Sequence, residues 1–332
     1  MKENVTPAAA GDVLLQVSHL KVGFKTDKAM LCAVDDVSFE VRHGEVLGVV
    51  GESGCGKSVS CMSILKLIQG ENVVYEGGEI LFEGQNTLSM TDKQLRKIRG
   101  KEISVIFQEP MTALNPLYTI GDQMGEVLRL HTKLSKKEIR ERCEEMLEKV
   151  RIPNPREVML RYPFNLSGGM RQRVMIAMAL LTNPKLIIAD EPTTALDVTI
   201  QAQVLDVMHD LQKEYGCSYI FITHDLGVIS EMAERVVVMY GGHVCECAKT
   251  DVLFDKPLHP YTKGLIASRP YSHMAENRLK VIPGNVPSLA NKPSGCPFHT
   301  RCPDAKECCK ESFPGMIEVE PGHTIACWNY AE

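Results

Sequence analysis

The sequence lacks any long apolar run, and this absence bears first on the class of protein. A helix that crosses a bilayer needs about 20 consecutive apolar residues. The best candidates here, at 46–50, 175–181 and 186–189, are only long enough for buried core elements. The first eleven residues carry one lysine and no apolar segment, so we expect no secretory signal. We therefore expect a cytosolic protein.

The sequence also lacks an excess of positive charge. Its 332 residues include 37 Lys and Arg against 42 Asp and Glu, which gives a net charge of −5. Proteins that bind nucleic acid usually carry a broad basic field, so we expect no nucleic-acid partner. The basic stretch at 93–101 is more typical of a solvated face than of a nucleic-acid groove.

The order of the predicted elements indicates an α/β protein of two domains. Strand-like segments at 13–17, 33–41 and 45–50 are followed by a helical region over about 110–163. Strand patterns then return between predicted helices, at 186–189, 217–223 and 235–239. Strands that alternate with helices predict a largely parallel sheet.

The composition changes near residue 249. Beyond it the chain becomes rich in Pro and Cys and shows little periodicity. We therefore predict a first domain over 1–249, with a helical subdomain at about 110–163, and an extension over 250–332.

A phosphate-binding loop follows the apolar segment Val46–Val50. The stretch Gly51-Glu-Ser-Gly-Cys-Gly-Lys-Ser58 has the spacing Gly-x4-Gly-Lys-Ser, in which glycines let backbone N–H groups surround phosphate oxygens. Lys57 would place its charge on the β- and γ-phosphates, and the Ser58 hydroxyl would ligate Mg²⁺. The remaining predicted nucleotide contacts of this segment are Ser53, Gly54, Cys55, Gly56 and Val59.

A second acidic motif ends the apolar segment 186–189. Asp190 would act on Mg²⁺, whereas Glu191 would orient and deprotonate the attacking water. Two adjacent acids alone are equally typical of a solvated loop, and it is the phosphate loop that favours the catalytic interpretation.

Between these motifs lies Leu166-Ser-Gly-Gly-Met-Arg-Gln-Arg173, which resembles the signature sequence of ATP-binding cassette (ABC) ATPases. The resemblance covers most of the chain and implies a P-loop NTPase fold with a mixed β-sheet. It implies that Phe24 stacks on adenine and that Gln108 also ligates Mg²⁺. It further implies that Gln108 and the switch histidine His224 act with Lys57 and Glu191 in hydrolysis.

The signature also indicates a partner. Ser167-Gly168-Gly169 at a helix start is a second place where free N–H groups can bind an anion. In the resembling family two ATPase domains meet head to tail, so these residues and Asp197 of the segment Ala195-Leu-Asp197 would contact the partner's ATP. One set of motifs therefore implies a second homologous ATPase subunit, and the resemblance favours a paralogue.

The extension resembles the C-terminal region of ATPase subunits of oligopeptide and dipeptide importers. The resemblance is carried by Leu258-His-Pro-Tyr-Thr262, Pro283-Gly284 and the cysteines that follow. It implies ATP-driven uptake of di- or oligopeptides on the cytoplasmic face of a membrane. Two permease subunits and an extracytoplasmic peptide-binding protein would be the partners, with a permease helix received around 108–117 and the helices up to 163. The alternatives are another cargo such as a nickel chelate or a sugar, a non-transport ABC protein, and an ATP-binding regulatory module without turnover.

Five of the twelve cysteines lie between positions 296 and 327. The gaps in Cys296-x5-Cys302-x6-Cys309-x17-Cys327 are wider than those of usual zinc sites and suit a larger group such as an iron–sulfur cluster. The resemblance implies a [4Fe–4S] cluster on these four positions. Zinc, with His299 or His323 completing the site, is the main alternative, and Cys308 could replace Cys309. Free thiols or disulfides are the remaining interpretation.

Overall fold

The computed structural model describes residues 12–27, 29–68, 70, 72–194, 196–268 and 281–331. The chain divides into two compact units. The P-loop unit holds Val13–Val41, Val46–Ser89 and Phe221–Glu332, and the signature unit holds Arg42–Glu45 and Met90–Ile220 together with Asp12.

The strands and helices of the described chain follow in sequence order. The strands are β1 Val13–Lys25, β2 Met30–Arg42, β3 Val46–Val50, β4 Val73–Phe82, β5 Gln85–Asn86, β6 Ile103–Ile106, β7 Leu186–Asp190, β8 Ser218–Thr223, β9 Arg235–Tyr240, β10 His243–Lys249, β11 Ile317–Glu320 and β12 His323–Ile325. The helices are α1 Lys57–Ser63, α2 Asp92–Ile98, α3 Pro110–Ala113, α4 Ile120–His131, α5 Lys136–Lys149, α6 Pro155–Val158, α7 Gly168–Leu180, α8 Val198–Tyr215, α9 Leu226–Met232, α10 Thr250–Asp255, α11 Pro260–Ala267 and α12 Cys308–Glu311.

The P-loop unit is built around two sheets. One has the strand order β2-β1-β4-β5, with β1 and β4 antiparallel. In the other, β3 pairs in parallel with β9, and the antiparallel strands β10, β12 and β11 follow. All five residues of β3 are buried, as expected for a central strand that delivers a phosphate loop.

The expectation of a largely parallel sheet is therefore correct only in part. The strands β4 and β10 were not anticipated. Only Ile80 and Phe82 of β4 are buried, and Gly77 and Gly78 interrupt the strand, so it produces no long apolar run for sequence analysis to detect. The predicted strands at 13–17 and 33–41 are longer in the structure, where they form β1 and β2.

The signature unit contains the parallel pair β6 and β7 and the long helices. The sequence Ser135-Lys-Lys-Glu138 has the spacing that predicts a capping box at the start of α5. The structure confirms it, since the Glu138 N–H donates to Ser135 Oγ and the Ser135 N–H donates to Glu138 Oε2. Gly216 ends α8 with a φ of 65°, the left-handed conformation that favours glycine at a helix C-terminus. Helices α3 to α6 occupy the region predicted to be helical. Among the described residues, no helix combines the length and the apolar character that crossing a membrane requires.

Candidate active site

The phosphate loop depends on glycines that have no substitute. Gly51, Gly54 and Gly56 have φ values of 153°, 79° and 100°, which L side chains rarely adopt. A Cβ on Gly51 would lie 2.2 Å from the Met239 carbonyl oxygen, and one on Gly56 would lie 2.8 Å from that of Ala33. The loop can therefore wrap closely against neighbouring backbone only because these positions are glycine.

Lys57 is buried and its ammonium turns back into the loop. Its Nζ donates to the carbonyl oxygen of Gly51 at 2.7 Å and to that of Glu52 at 3.1 Å. Behind it Cys55 is fully buried, and burial raises the pKa of its thiol, which fits a neutral filler side chain. Ser53 and Gly54 form the exposed tip of the loop, whereas Ser58 and Val59 are half-buried at the start of α1. This arrangement offers one fixed positive charge beside exposed backbone N–H groups.

Two further predicted nucleotide residues belong to the same unit. Phe24 is half-buried near the end of β1, where it pairs with Val73 of β4. His224 is exposed and follows directly after β8. The next residue, Asp225, caps α9 by accepting the Gly227 N–H at 2.7 Å, which ties the backbone beside His224 to a helix start.

The acidic motif in the signature unit is arranged with unusual backbone geometry. Asp190 ends β7 and is 8% exposed, while Glu191 has a φ of 46°. A left-handed conformation costs a non-glycine residue about 1–3 kcal/mol and is concentrated at functional sites. Glu191 Oε2 accepts hydrogen bonds from Gln108 Nε2 and Thr194 Oγ1, both at 2.9 Å. The structure thus brings two predicted catalytic residues into contact.

Thr194 was not identified from the sequence. It lies three residues after Glu191 in a turn that its N–H closes on the Glu191 carbonyl at 3.2 Å. Residues i and i+3 of a β-turn lie close together, so a threonine three residues after an acid was the signal that could have revealed it.

The signature residues begin α7. Ser167 is its N-cap and accepts the Met170 N–H at 3.4 Å. Gly168 is exposed, and a Cβ there would meet nothing closer than 3.9 Å, whereas a Cβ on Gly169 would lie 2.6 Å from Ile200 Cγ2. Gly168 therefore leaves the surface open, and Gly169 allows α7 to approach α8.

The second segment predicted to reach a partner starts α8. Asp197 is the N-cap of that helix and accepts the Ile200 N–H at 2.9 Å. The neighbouring Val198 is an apolar side chain that is 85% exposed. Ala195, the first residue of this predicted segment, lies outside the described residues.

The four predicted cysteine ligands share an electrostatic environment. Burial, together with smaller contributions from the charges of Cys309, Cys302 and Cys327, raises the pKa of Cys296 to about 11. Of the four sulfurs, that of Cys309 accepts a backbone N–H, donated by Lys306 at 3.4 Å. At Cys296, Cys302 and Cys327, burial is the largest cause of a raised pKa, and a nearby backbone N–H lowers it in part.

Within the ranges that the structure describes, no three or more His, Cys, Asp and Glu side chains form a site for a metal ion. The two histidines considered for zinc have other partners. His299 Nδ1 lies 2.8 Å from the Cys296 carbonyl oxygen, and His323 Nε2 lies 2.8 Å from Glu246 Oε1.

Comparison with known proteins agrees with this geometry. A family profile described as ABC transporter matches residues 34–194, and one described as oligopeptide/dipeptide transporter, C-terminal region, matches residues 245–309. The chain is 50% identical over 319 residues to the oligopeptide transport ATP-binding protein AppD of Bacillus subtilis, covering 96% of this chain and 97% of that protein. It is 47% identical over 315 residues to the dipeptide transport ATP-binding protein DppD of the same organism, covering 95% and 94% of the two chains.

A solved structure resembles part of the chain. The dimeric post-hydrolysis state of the ATP-binding cassette MJ0796 bound to ADP and Pi matches with a TM-score of 0.64 and 29% identity. The match covers 71% of this chain and 98% of that one.

Proposed function

This chain belongs to the ABC transporter ATP-binding proteins that carry an oligopeptide/dipeptide transporter C-terminal region, and we propose that it hydrolyses ATP to power the import of di- or oligopeptides through separate permease subunits. The observation that carries the proposal is the phosphate loop, in which left-handed glycines enclose the Lys57 ammonium. The cargo is inferred from the names of the relatives, which are oligopeptide and dipeptide transport proteins.

In the proposed reaction each residue has a separate task. Lys57 and the backbone N–H groups of Gly51 and of the segment from Ser53 to Val59 bind the β- and γ-phosphates. Phe24 stacks on the adenine ring, and its half-exposed ring near the end of β1 supports that role.

Ser58, Gln108 and Asp190 would hold Mg²⁺, whose charge offsets that which develops on the phosphates during hydrolysis. Oxygen donors of this kind are the ligands that Mg²⁺ prefers.

Glu191 is proposed to accept the proton of the attacking water. Its Oε2 is fixed by Gln108 and Thr194, so the carboxylate is oriented before any substrate arrives. His224, exposed after β8, would stabilise the charge of the γ-phosphate. Together these residues would hydrolyse the terminal phosphate of bound ATP.

We propose that a second homologous ATPase subunit completes the site. Ser167, Gly168, Gly169 and Asp197 would contact ATP held by that partner. Exposed Ser167 and Gly168 at the start of α7, and the dimeric state of the matched MJ0796 cassette, support this arrangement.

The signature unit also offers a surface for a permease. Its large exposed apolar side chains between positions 107 and 164 are Phe107, Met111, Leu117, Tyr118, Leu130, Leu134, Leu160, Tyr162 and Phe164. Exposed apolar side chains that form a contiguous patch are typical of a protein contact. We propose that this surface receives a permease helix at the cytoplasmic face of the membrane.

The domain boundary near residue 249 is supported by the two family matches. The first match ends at residue 194, and the second begins at residue 245.

For the cysteines we propose a [4Fe–4S] cluster on Cys296, Cys302, Cys309 and Cys327. The spacing of the four cysteines supports this assignment, because its gaps are wider than those of usual zinc sites and suit a larger group. Cys309 is supported over Cys308 because it is buried and its sulfur accepts the Lys306 N–H. The cluster would add a rigid crosslink among thiolates in the extension.

Two measurements test these assignments. In the isolated chain, Lys57→Ala should abolish binding of a fluorescent ATP analogue, and a variant that binds as the wild type does would refute the phosphate site. For transport, the native complex should be solubilised and its subunits identified. Co-purification of permeases, and ATPase activity stimulated by a peptide-loaded binding protein, are the expected results. Co-purification with nucleic acid instead of permeases would refute the transport role.

The cysteine site has its own test. Protein purified without oxygen should be brown and should contain iron and acid-labile sulfide in equal amounts. Colourless protein with stoichiometric zinc would show that the cluster assignment is wrong.

A further inference from the structure

Glu52, the second residue of the phosphate loop, is held by two residues of the extension. Its carboxylate oxygens accept hydrogen bonds from both terminal nitrogens of Arg301, at 2.6 and 3.1 Å. Its backbone N–H donates to the Tyr261 hydroxyl at 2.8 Å. These residues all lie in the P-loop unit. A paired fork of this kind fixes orientation as well as charge.

Arg301 is itself fixed on all sides. Its side chain is 4% exposed, and it also donates to the Tyr240 hydroxyl at 3.1 Å and the Pro283 carbonyl at 2.9 Å. Hydrogen bonding to Glu52 is the largest cause of a raised pKa at Arg301, so the guanidinium keeps its charge. A buried cation with this many donors is stabilised only while its anionic partner is present.

Arg301 lies in the loop between Cys296 and Cys302, and that loop also packs against residues that contact the phosphate loop. Phe298 packs against the rings of Tyr240 and Tyr261, with centroids 5.1 and 5.3 Å away. Pro297 lies so close to the turn at 241–242 that a Cβ on Gly241 would come within 2.6 Å of it. In the same turn the Gly242 N–H donates to the Cys55 carbonyl at 3.0 Å. The cysteine loop therefore supports the phosphate loop at both Glu52 and Cys55.

This support reaches the charge that would meet phosphate. The Glu52 carbonyl accepts a hydrogen bond from Lys57 Nζ at 3.1 Å, so a shift of Glu52 would shift the acceptor of that ammonium. Without Arg301, the Glu52 carboxylate would also stand without its strongest cationic partner beside a loop that binds a triphosphate. The Glu52 carboxylate and the phosphates would then repel each other at short range, and this repulsion is strong where water is excluded.

We propose that Arg301 is a positioning residue that sets the ATP affinity of the phosphate loop by neutralising and orienting Glu52. The inference rests on the proposed binding of ATP at this loop. It assigns to the cysteine-bearing extension a direct role in nucleotide binding.

The test is a double-mutant cycle on the full chain, with the Kd for a fluorescent ATP analogue as the readout. Arg301→Met should raise the Kd about tenfold, which corresponds to 1.4 kcal/mol. In the Glu52→Gln background the same substitution should change the Kd less than about twofold, because the carboxylate it compensates is gone. Lys310→Met is the matched control. It removes an exposed ion pair with Glu307 from the same extension and should leave the Kd unchanged.

An unchanged Kd in Arg301→Met, or the same tenfold rise in both backgrounds, would overturn the inference. Circular dichroism and thermal unfolding check that each variant is folded. If Arg301→Met does not fold, Arg301→Lys repeats the cycle, since lysine keeps the charge but not the fork. Arg301→Lys should raise the Kd about threefold when Glu52 is present and should not change it in the Glu52→Gln background. Equal effects in both backgrounds would be contrary to the proposal. A wild-type chain that binds no ATP would instead refute the proposed function.

Discussion

Replacing Glu246 by alanine should loosen the attachment of the extension to β10. Glu246 is fully buried, and its two carboxylate oxygens accept three hydrogen bonds. Oε1 accepts the Leu258 N–H and His323 Nε2–H, both at 2.8 Å, and Oε2 accepts the His259 N–H at 2.9 Å. One carboxylate thus holds the start of α11 and the strand β12 to the sheet.

The magnitude follows from the donors that the substitution leaves without an acceptor. Each buried donor that loses its partner costs about 1–3 kcal/mol, and hydrogen bonds to a charged acceptor are at the upper end. We expect a loss of about 4 kcal/mol in the local stability of this attachment. Since 1.4 kcal/mol is tenfold in an equilibrium constant, the backbone amides of Leu258 and His259 should exchange with solvent about a thousandfold faster.

Hydrogen exchange followed by mass spectrometry on the full chain measures this directly. Glu246→Gln should give an intermediate rate, because the amide keeps one acceptor oxygen but turns an N–H toward a donor. Glu320→Ala is the control, since it removes an exposed partner of Lys256 in the same part of the chain and should leave the rates unchanged. Wild-type exchange rates in Glu246→Ala would refute the reasoning, because they would show that the three donors do not depend on this carboxylate.

Three further predictions concern the catalytic carboxylate, the signature glycines and acid stability. Glu191→Gln should keep ATP binding and stop hydrolysis in the assembled complex, and turnover at the wild-type rate would contradict its role as base. Gly169→Ala should lower the free energy of unfolding by about 1–3 kcal/mol, because the added Cβ would clash with Ile200. Gly168→Ala meets no such neighbour and should leave that free energy unchanged, and urea titrations of the two variants measure the difference. Burial lowers the pKa of His259 in the folded chain to about 3. Below pH 6.5 the His259 imidazole is therefore protonated in the unfolded chain but not in the folded one, so the free energy of unfolding falls as the pH falls. His259→Asn keeps an acceptor for the Tyr261 N–H but cannot be protonated in this range. Urea unfolding should show that it reduces the pH dependence of the free energy of unfolding by about 1.4 kcal/mol per pH unit between pH 6.5 and 4.

The features predicted well from the sequence are those whose geometry is set by near neighbours. The phosphate loop is defined by glycine spacing directly after the apolar strand β3, and the Ser135 cap is defined by a glutamate three residues later. In both cases a few consecutive residues contain all the atoms that matter. Local motifs of this kind therefore need no knowledge of the tertiary structure.

The contacts that escaped sequence analysis join distant positions. Gln108 and Glu191 are 83 residues apart, and Glu52 and Arg301 are 249 residues apart. Whether two distant residues meet depends on which strands are neighbours in the sheet and on the path of each loop. The spacing of residues along the sequence does not encode either of these. Glu52 in particular resembles any variable residue of a phosphate loop until its partner is known.

The position of Glu52 bears on what the extension does for the ATPase. A segment that only offered a surface to another subunit would need no buried contact with the phosphate loop. Here Arg301 and Tyr261 both reach Glu52, and Glu246 holds the helix that carries Tyr261. A loop fixed before the nucleotide arrives loses less conformational entropy on binding, so these contacts favour ATP affinity without touching ATP. Any change that loosens the cysteine-bearing loop should consequently weaken nucleotide binding, because the same residues that order that loop also order the phosphate site.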